Sequence, residues 1–246
     1  MHFAIVIPTF KRISKLERCL NSILKQSHQD FNIYVMCDNQ DWDTFKHIEE
    51  KYKDNDKILP IIILDHQYVM GCWNLFTRDN FDLIKQGMCW IVDDTELLPD
   101  CLEKLSETFI SHFPDMDGMV GISQIYPLLD IEKQNWKENG QCAIGRKFIE
   151  RFPNRQVCAI EYQFFYQDEE VLEYAKSIHK FVLCKDAKLI HHSANFYSSE
   201  MDETHKIPRD KIKLQDTMTY KKRKERGLVW GKSFETIKEY DERMRK

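Results

Sequence analysis

The chain has 246 residues, 42% of them apolar, and a formal charge of −4 with its histidines neutral. That length suits one large α/β domain, or one domain with a C-terminal extension, and the apolar fraction excludes wholesale disorder. The mild acidity excludes a global basic field for nucleic acid and leaves only local basic patches open.

"FAIVIP" (3–8) is a β-branched apolar run stopped by Pro8, which predicts a buried strand. In "TFKRISKLERCLNSILKQS", Ser14 and Glu17 form an S-x-x-E capping-box signature, and Leu16, Leu20, Ile23 and Leu24 recur at helical spacing. The unit repeats. "FNIYVMC" (31–37) predicts a second strand, a helical stretch follows near 43–53, and "ILPIIIL" (58–64) predicts a third strand. A helix is expected around 72–86, then a strand at "CWIV" (89–92). "PDCLEKLSETFISHF" reads as a helix opened by Pro99 and capped by Asp100, with Leu102, Leu105, Phe109 and Ile110 on one side. "GMVGISQIY" (118–126) predicts a strand, residues 127–165 are mixed and aromatic-rich, "DEEVLEYAKSI" (168–178) predicts a helix, and "AKLIHH" (187–192) a strand. Strands alternating with helices predict a mainly parallel sheet flanked by helices. From about residue 200 the chain is polar and charged, with "YKKRKERG" at 220–227.

The eight cysteines form no CxxC pair, and several sit inside apolar runs. Buried free thiols in a reducing compartment are expected, not a zinc site. "MHFAIVIPTF" lacks the basic segment and cleavage site of a signal peptide. No segment approaches the ~20 apolar residues of a membrane span. A cytoplasmic protein is expected, with at most peripheral contact to a membrane surface.

The chain has only eight glycines and no GxGxxG after its first strand. "GQCAIGRK" (140–147) has the spacing of a P-loop, but it lacks the Lys-Ser/Thr pair and follows no first strand. If phosphates bind, another device must neutralise them, and a metal held by carboxylates is the obvious one. Ligands of open α/β sheets sit beyond the carboxyl ends of the strands. Four polar groups fall at such ends: Thr9 to Arg12, Asp38-Asn39, Asp93-Asp94 and His191-His192. Each alone reads as a turn, a cap or a surface pair. Their coincidence points to a site.

These motifs resemble glycosyltransferase family 2, with the GT-A fold. The opening strand ends in Pro-Thr-Phe-Lys-Arg, Leu16 to Gln26 matches the Leu-x-x-x-Leu-x-Ser-Ile-x-x-Gln helix motif, and the second strand ends in Asp-Asn. "VDDTELLPDCLEKL" resembles the family's metal-binding DXD stretch, in the Asp-Asp form of small bacterial spore-coat-type members. The resemblance covers roughly 1–110, returns more weakly over 140–192, and is absent after about 200. It implies a GT-A domain over 1–195, with a nucleotide-binding half (1–110) and an acceptor-binding half (111–195), and a charged, helical extension over 196–246.

The resemblance further implies an inverting, metal-dependent transferase that moves a sugar from a nucleotide-sugar donor, a UDP-sugar, to a hydroxyl. Asp38 would accept the uracil imide N–H. Pro8, Thr9 and Phe10 would line the nucleotide, with Phe10 offering an apolar face to the base. Arg12 would reach the nucleotide, or stand exposed at a helix start. Asp94, aided by Asp93, would hold Mn2+ or Mg2+, and His191, favoured over His192, would be a third ligand suited to Mn2+. Arg78 in "FTRDN" resembles an Arg-Asn motif near the pyrophosphate, displaced by about one residue. Asp168 stands at the position of the catalytic base, with Gln167 replacing the family's Glu. Its other reading is the N-cap of the following helix. The acceptor would be a growing bacterial or phage glycan, or a modified base in DNA. The basic tail reads as a solvated helix face, or as a contact for a polyanionic acceptor or an anionic membrane. Two other classes remain: a non-catalytic nucleotide-sugar or nucleic-acid-binding module of the same fold, and a sugar-nucleotide-synthesising nucleotidyltransferase. The latter needs a Gly-rich loop that "PTFKRIS" lacks.

Overall fold

The fold is that of a computed structural model, which describes residues 1–65, 67–127, 140–192, 209–228 and 230. In chain order these residues form β1 (Phe3–Thr9), α1 (Ile13–Leu24), β2 (Phe31–Asp38), α2 (Trp42–Lys51), β3 (Ile58–Ile63), α3 (Val69–Asp79), β4 (Gly87–Trp90), β5 (Thr95–Leu97), α4 (Cys101–His112), β6 (Met119–Ile125), β7 (Cys142–Gly145), α5 (Arg146–Ile149), α6 (Gln167–Ser177), β8 (Phe181–His191) and α7 (Arg209–Glu225). One eight-stranded sheet runs in the order β3-β2-β1-β4-β7-β6-β8-β5. β1, β2, β3, β4, β6 and β8 are parallel, while β7 and β5 run against them.

Alternation along the strands sorts the core into two layers. Ala4 and Val6, Tyr34 and Met36, and Met88 and Trp90 face α3, α5 and α6. Phe3, Ile5 and Ile7, Ile33 and Val35, and Cys89 and Ile91 face α1, α2 and α4. β1 is buried on both faces, so its near-continuous apolar run makes it a central strand. On the first layer Trp73 stacks on Trp90 with centroids 4.7 Å apart, and its indole N–H donates to the Val6 carbonyl at 3.1 Å. This ties α3 to β1 and β4, the two strands that carry the central polar cluster. All eight cysteines are free and buried, as the absence of paired spacing led one to expect. Among the described residues no helix is long and apolar enough to cross a membrane.

Several local expectations are corrected. Ser14 caps nothing: α1 starts at Ile13, its N-cap is Arg12, and no side chain bonds its first turn. Glu17 instead turns outward to Lys51 and His47 of α2, so a contact between helices overrides the capping box. The helix expected over 72–86 runs from Val69 to Asp79, followed by a 3-10 turn at Phe81–Leu83. Asp100 precedes α4 with φ 63° and makes no side-chain cap, and Ile110 is exposed. Two short strands, β5 and β7, were not expected. Residues 140–147, with their P-loop-like spacing, form β7 and the start of α5.

Candidate active site

Strand β4 ends at Trp90, and the chain leaves it through a tight turn. The Thr95 amide donates to the Val92 carbonyl at 3.2 Å, and the Thr95 hydroxyl donates to the same oxygen at 2.7 Å. Asp93 and Asp94 occupy the two central positions of this turn. The Val92 amide, left without a ladder partner, donates to the buried Gln141 side chain at 3.0 Å. β5 then begins at Thr95, which pairs with His191 of β8. The turn is pinned between β1 on one side and β8 on the other.

The two carboxylates face different partners. Asp93 accepts the Thr9 hydroxyl at 2.8 Å and the Arg12 guanidinium at 2.7 Å. Its side chain is 2% exposed. Burial pushes its carboxyl up, Arg12 pulls it down, and the Asp94 charge pushes it up again. Asp94 meets the other arm of Arg12 at 3.3 Å, and its Oδ1 lies 3.2 Å from Nε2 of His191. Burial would raise its carboxyl, but the His191 contact and the Arg12 charge hold it below the usual range. Arg12 therefore bridges the like-charged pair. It is placed by Lys11, whose backbone at φ 53° donates its amide to Asp41, the residue that also caps α2.

His191 is oriented from behind. Its Nδ1 lies 3.0 Å from Oε1 of the buried Gln124, which also accepts the Tyr126 hydroxyl at 3.3 Å. The Tyr126 ring packs on the imidazole with centroids 5.5 Å apart. His192 points elsewhere: its Nε2 meets Glu96 at 3.2 Å, and its backbone amide donates to the Asp94 carbonyl. The geometry thus separates the two histidines, and His191 is the one at the carboxylate.

Asp38, at the end of β2, is 2% exposed and accepts the Gln40 amide at 2.8 Å. It lies at the same sheet edge, where Thr9 of β1 is in register with the neighbouring Cys37. Pro8 and Thr9 close β1 and are buried, and Phe10 is half-buried with the Lys11 ammonium 5.1 Å from its ring centre. Asp168 lies in the first turn of α6, whose N-cap is Tyr166 with φ 68°. The alternative reading of Asp168 as that cap is therefore corrected. Burial pushes the Tyr126 phenol up to about 12, and the charges of both Asp168 and Asp94 add to the shift. Tyr126 is within electrostatic reach of both carboxylates. Arg78 is not brought to this cluster. It sits in the last turn of α3, which descends from the carboxyl edge toward β4, and it is 44% exposed and paired bidentately with its neighbour Asp79.

Among the described residues no three His, Cys, Asp or Glu side chains already converge as a finished metal cage. The Asp94–His191 pair fits a shared cation all the same. Cis ligands of an octahedral ion sit about 3 Å apart, given metal–ligand distances of roughly 2.1 Å. With Nδ1 turned to the Gln124 oxygen, Nε2 is the ring atom left to face Asp94, the arrangement of a metal-binding histidine held by an outer partner. Asp93 is the more fully engaged of the two, with Thr9 and Arg12 on its oxygens at 2.8 and 2.7 Å, whereas Arg12 meets Asp94 only at 3.3 Å. The thiols fit no nucleophilic role: burial pushes Cys19, the one beside the turn, up to about 12. Gln124, Tyr126 and Gln141 carry no motif and were missed from sequence. The only signal for them is polar residues inside or beside apolar strands.

This architecture, a mainly parallel sheet with an acidic turn after its fourth strand, is the GT-A glycosyltransferase fold. The chain matches glycosyltransferase-like family 2 over residues 2–151 and belongs to that family. It is 30% identical over 105 residues to the GalNAc(5)-diNAcBac-PP-undecaprenol beta-1,3-glucosyltransferase of Campylobacter jejuni, across 42% of this chain and 33% of that one. Its fold is similar to the mannosyltransferase PcManGT of Pyrobaculum calidifontis, solved with GDP-Man and Mn2+, at TM-score 0.56 and 11% identity over 77% of this chain and 56% of that one. It is also similar to S. aureus TarS 1-349 in complex with UDP-GlcNAc, at TM-score 0.59 and 14% identity over 87% and 66%. The chain thus spans about a third of the curated relative and less than two thirds of the PcManGT chain.

Proposed function

We propose that this chain transfers a sugar from a UDP-sugar to a hydroxyl of a growing glycan, with inversion at the anomeric carbon. The observation that carries the reading is the pairing of Asp94 with His191 at the carboxyl edge of the sheet, in a chain of this family. Mn2+, or Mg2+, held there would neutralise charge gathering on the departing diphosphate. Relatives solved with Mn2+ and with nucleotide sugars support the donor side of the proposal.

Each residue then has a physical task. Asp38 offers a fixed carboxylate for the uracil imide N–H, with Pro8, Thr9 and Phe10 lining the base. Arg12 and Thr9 hold Asp93, keeping the turn in shape so that Asp94 faces His191. Arg12 is thereby assigned to the turn rather than to the nucleotide. Asp168 takes the proton of the acceptor hydroxyl as its oxygen bonds to the anomeric carbon. The bond from that carbon to the diphosphate oxygen breaks on the opposite face, and its electrons leave with UDP. Arg78 has no task in this scheme. In the basic tail Arg223 is buried against Glu161 and Glu170 and Lys224 pairs with Glu173, which leaves the exposed Lys221, Lys222 and Arg226 to meet any polyanionic acceptor.

The test is nucleotide release from a panel of nucleotide sugars with Mn2+, with and without chelator. Chelation and Asp94→Ala should each abolish metal-dependent donor binding, while Asp168→Asn should bind donor but not transfer. A chain that neither binds nor turns over any nucleotide sugar leaves the fold with a non-catalytic role instead.

A further inference from the structure

Asp168 sits in a short stretch gripped from both sides by a helix far away in sequence. The segment before it, residues 163–165, presents three consecutive backbone N–H groups to one point. All three donate to the carboxylate of Asp216 in α7: Gln163 at 3.0 Å, and Phe164 and Phe165 at 2.8 Å each. Asp216 is fully buried. Consecutive amides aimed at one anion form a nest that no regular strand or helix provides, and bonds to a charged acceptor are about twice as strong as neutral ones. The next residue, Tyr166, is in the left-handed region, and its ring stacks on Tyr220 of α7 with centroids 4.9 Å apart. The Thr217 hydroxyl donates to the Tyr166 hydroxyl at 3.1 Å.

On the far side of Asp168 the grip repeats. Arg223 of α7, buried, donates to both oxygens of Glu170, at 2.9 Å from Nε and 2.5 Å from Nη2. The same carboxylate accepts the Tyr162 hydroxyl at 2.7 Å and the Trp230 amide at 2.8 Å. Asp216, Tyr220 and Arg223 are spaced i, i+4, i+7, so they share one face of α7. That face meets positions 163–166 and 170, so the backbone that carries Asp168 is anchored on both sides.

We infer that α7 is a splint for the catalytic base, with Asp216 and Arg223 as positioning residues that set where the Asp168 carboxylate sits. The inference rests on Asp168 being the base. Neither residue touches the reacting atoms. Loss of the buried Asp216 carboxylate leaves three backbone amides without their acceptor, and the segment must turn to find others, taking the first turn of α6 with it. A shift of 1 Å at a catalytic group costs on the order of 100-fold in rate.

The experiment uses the full chain with Mn2+ and the donor and acceptor that give the unsubstituted chain its fastest transfer. Asp216→Asn keeps shape but loses the charge. Its kcat should fall about 10- to 100-fold, while KM for the nucleotide sugar and UDP binding stay within about twofold. Arg223→Lys, which keeps the charge but loses the fork, should shift kcat in the same direction, and it serves if Asp216→Asn does not fold. Leu214→Ala, on the exposed face of α7, should leave kcat unchanged. A uniform loss of folded protein would lower all rates through active concentration without changing the kcat of the folded fraction, counted by UDP titration. If both variants keep wild-type kcat while Asp168→Asn abolishes transfer, the splint is refuted and the base stands. If Asp168→Asn itself transfers at the wild-type rate, the base assignment falls and the splint falls with it.

Discussion

The replacement Gln124→Leu tests whether His191 is held for a metal. It keeps the side-chain volume roughly constant and removes the acceptor 3.0 Å from Nδ1 of His191. The same oxygen also serves the Tyr126 hydroxyl. One hydrogen bond contributes about 0.5–1.5 kcal/mol net, and 1.4 kcal/mol is tenfold in affinity. Loss of that bond alone should therefore weaken Mn2+ binding about 2- to 10-fold. Loss of an outer partner of a metal-binding histidine ordinarily costs about 10- to 100-fold, because the ring orientation is lost as well. The assay is titration of Mn2+ in the presence of UDP, read by calorimetry or by the resonance of free Mn2+. Gln124→Leu should raise the Kd about 10- to 100-fold, and Gln124→Glu, which keeps an acceptor, should bind within a few-fold of wild type. The reasoning is refuted if Gln124→Leu binds Mn2+ as tightly as wild type while His191→Ala does not. The imidazole would then be a ligand that needs no support from β6.

Three further outcomes follow from particular contacts. Arg78→Ala should leave donor binding and transfer within about twofold of wild type, since the side chain is exposed and its paired acid is its own neighbour; surface pairs contribute about 0–1 kcal/mol. Trp73→Ala removes a buried indole, its stack on Trp90 and its bond to Val6, and should cost about 3–5 kcal/mol, a fall of roughly 6–20 °C in Tm by calorimetry. Asp117 is held below its ordinary 3.8 by the Arg151 fork, against burial, with Lys180 adding to the effect. A depressed carboxyl stabilises the fold above its unfolded value, and that contribution is lost as the pH falls through the folded value. Asp117→Asn should therefore lower stability at pH 7 and flatten its decline below about pH 4 in denaturant titrations. An unchanged acid limb would refute the role of the pair.

What the sequence disclosed follows from which forces act locally. β1 and β2 were legible because burial on both faces demands continuous apolar runs, β3 because its run is apolar and β-branched even at the sheet edge, and α1 because its apolar positions recur every three to four residues. β5 and β7, of three and four residues, are too short to show a period. They exist because neighbouring strands supply their ladders. The capping box failed because Ser14 and Glu17 carry no information about α2, which draws Glu17 outward. The site was legible only where charged or aromatic residues mark strand ends. Gln124 and Gln141 escaped, since a buried amide inside an apolar run announces nothing until its partner is known. Asp216 escaped for the same reason. Its partners are backbone amides some fifty residues away, and any sequence can supply an amide.

The Asp93-Asp94 pair shows why adjacency in sequence need not mean a shared task. Two carboxylates held side by side repel each other, and burial adds to the cost of charging Asp93. A turn that keeps both must therefore supply a cation, and Arg12 is that cation for Asp93. Its second arm reaches Asp94 at the longer distance of 3.3 Å, so Asp94 is only partly neutralised. His191 stands on the other side of Asp94, close enough to share a proton or a metal with it. The arginine thus divides the pair, making Asp93 a strut whose charge is matched within the protein and leaving Asp94 with charge to offer. If Arg12 were lost, both carboxylates would compete for whatever cation the site holds.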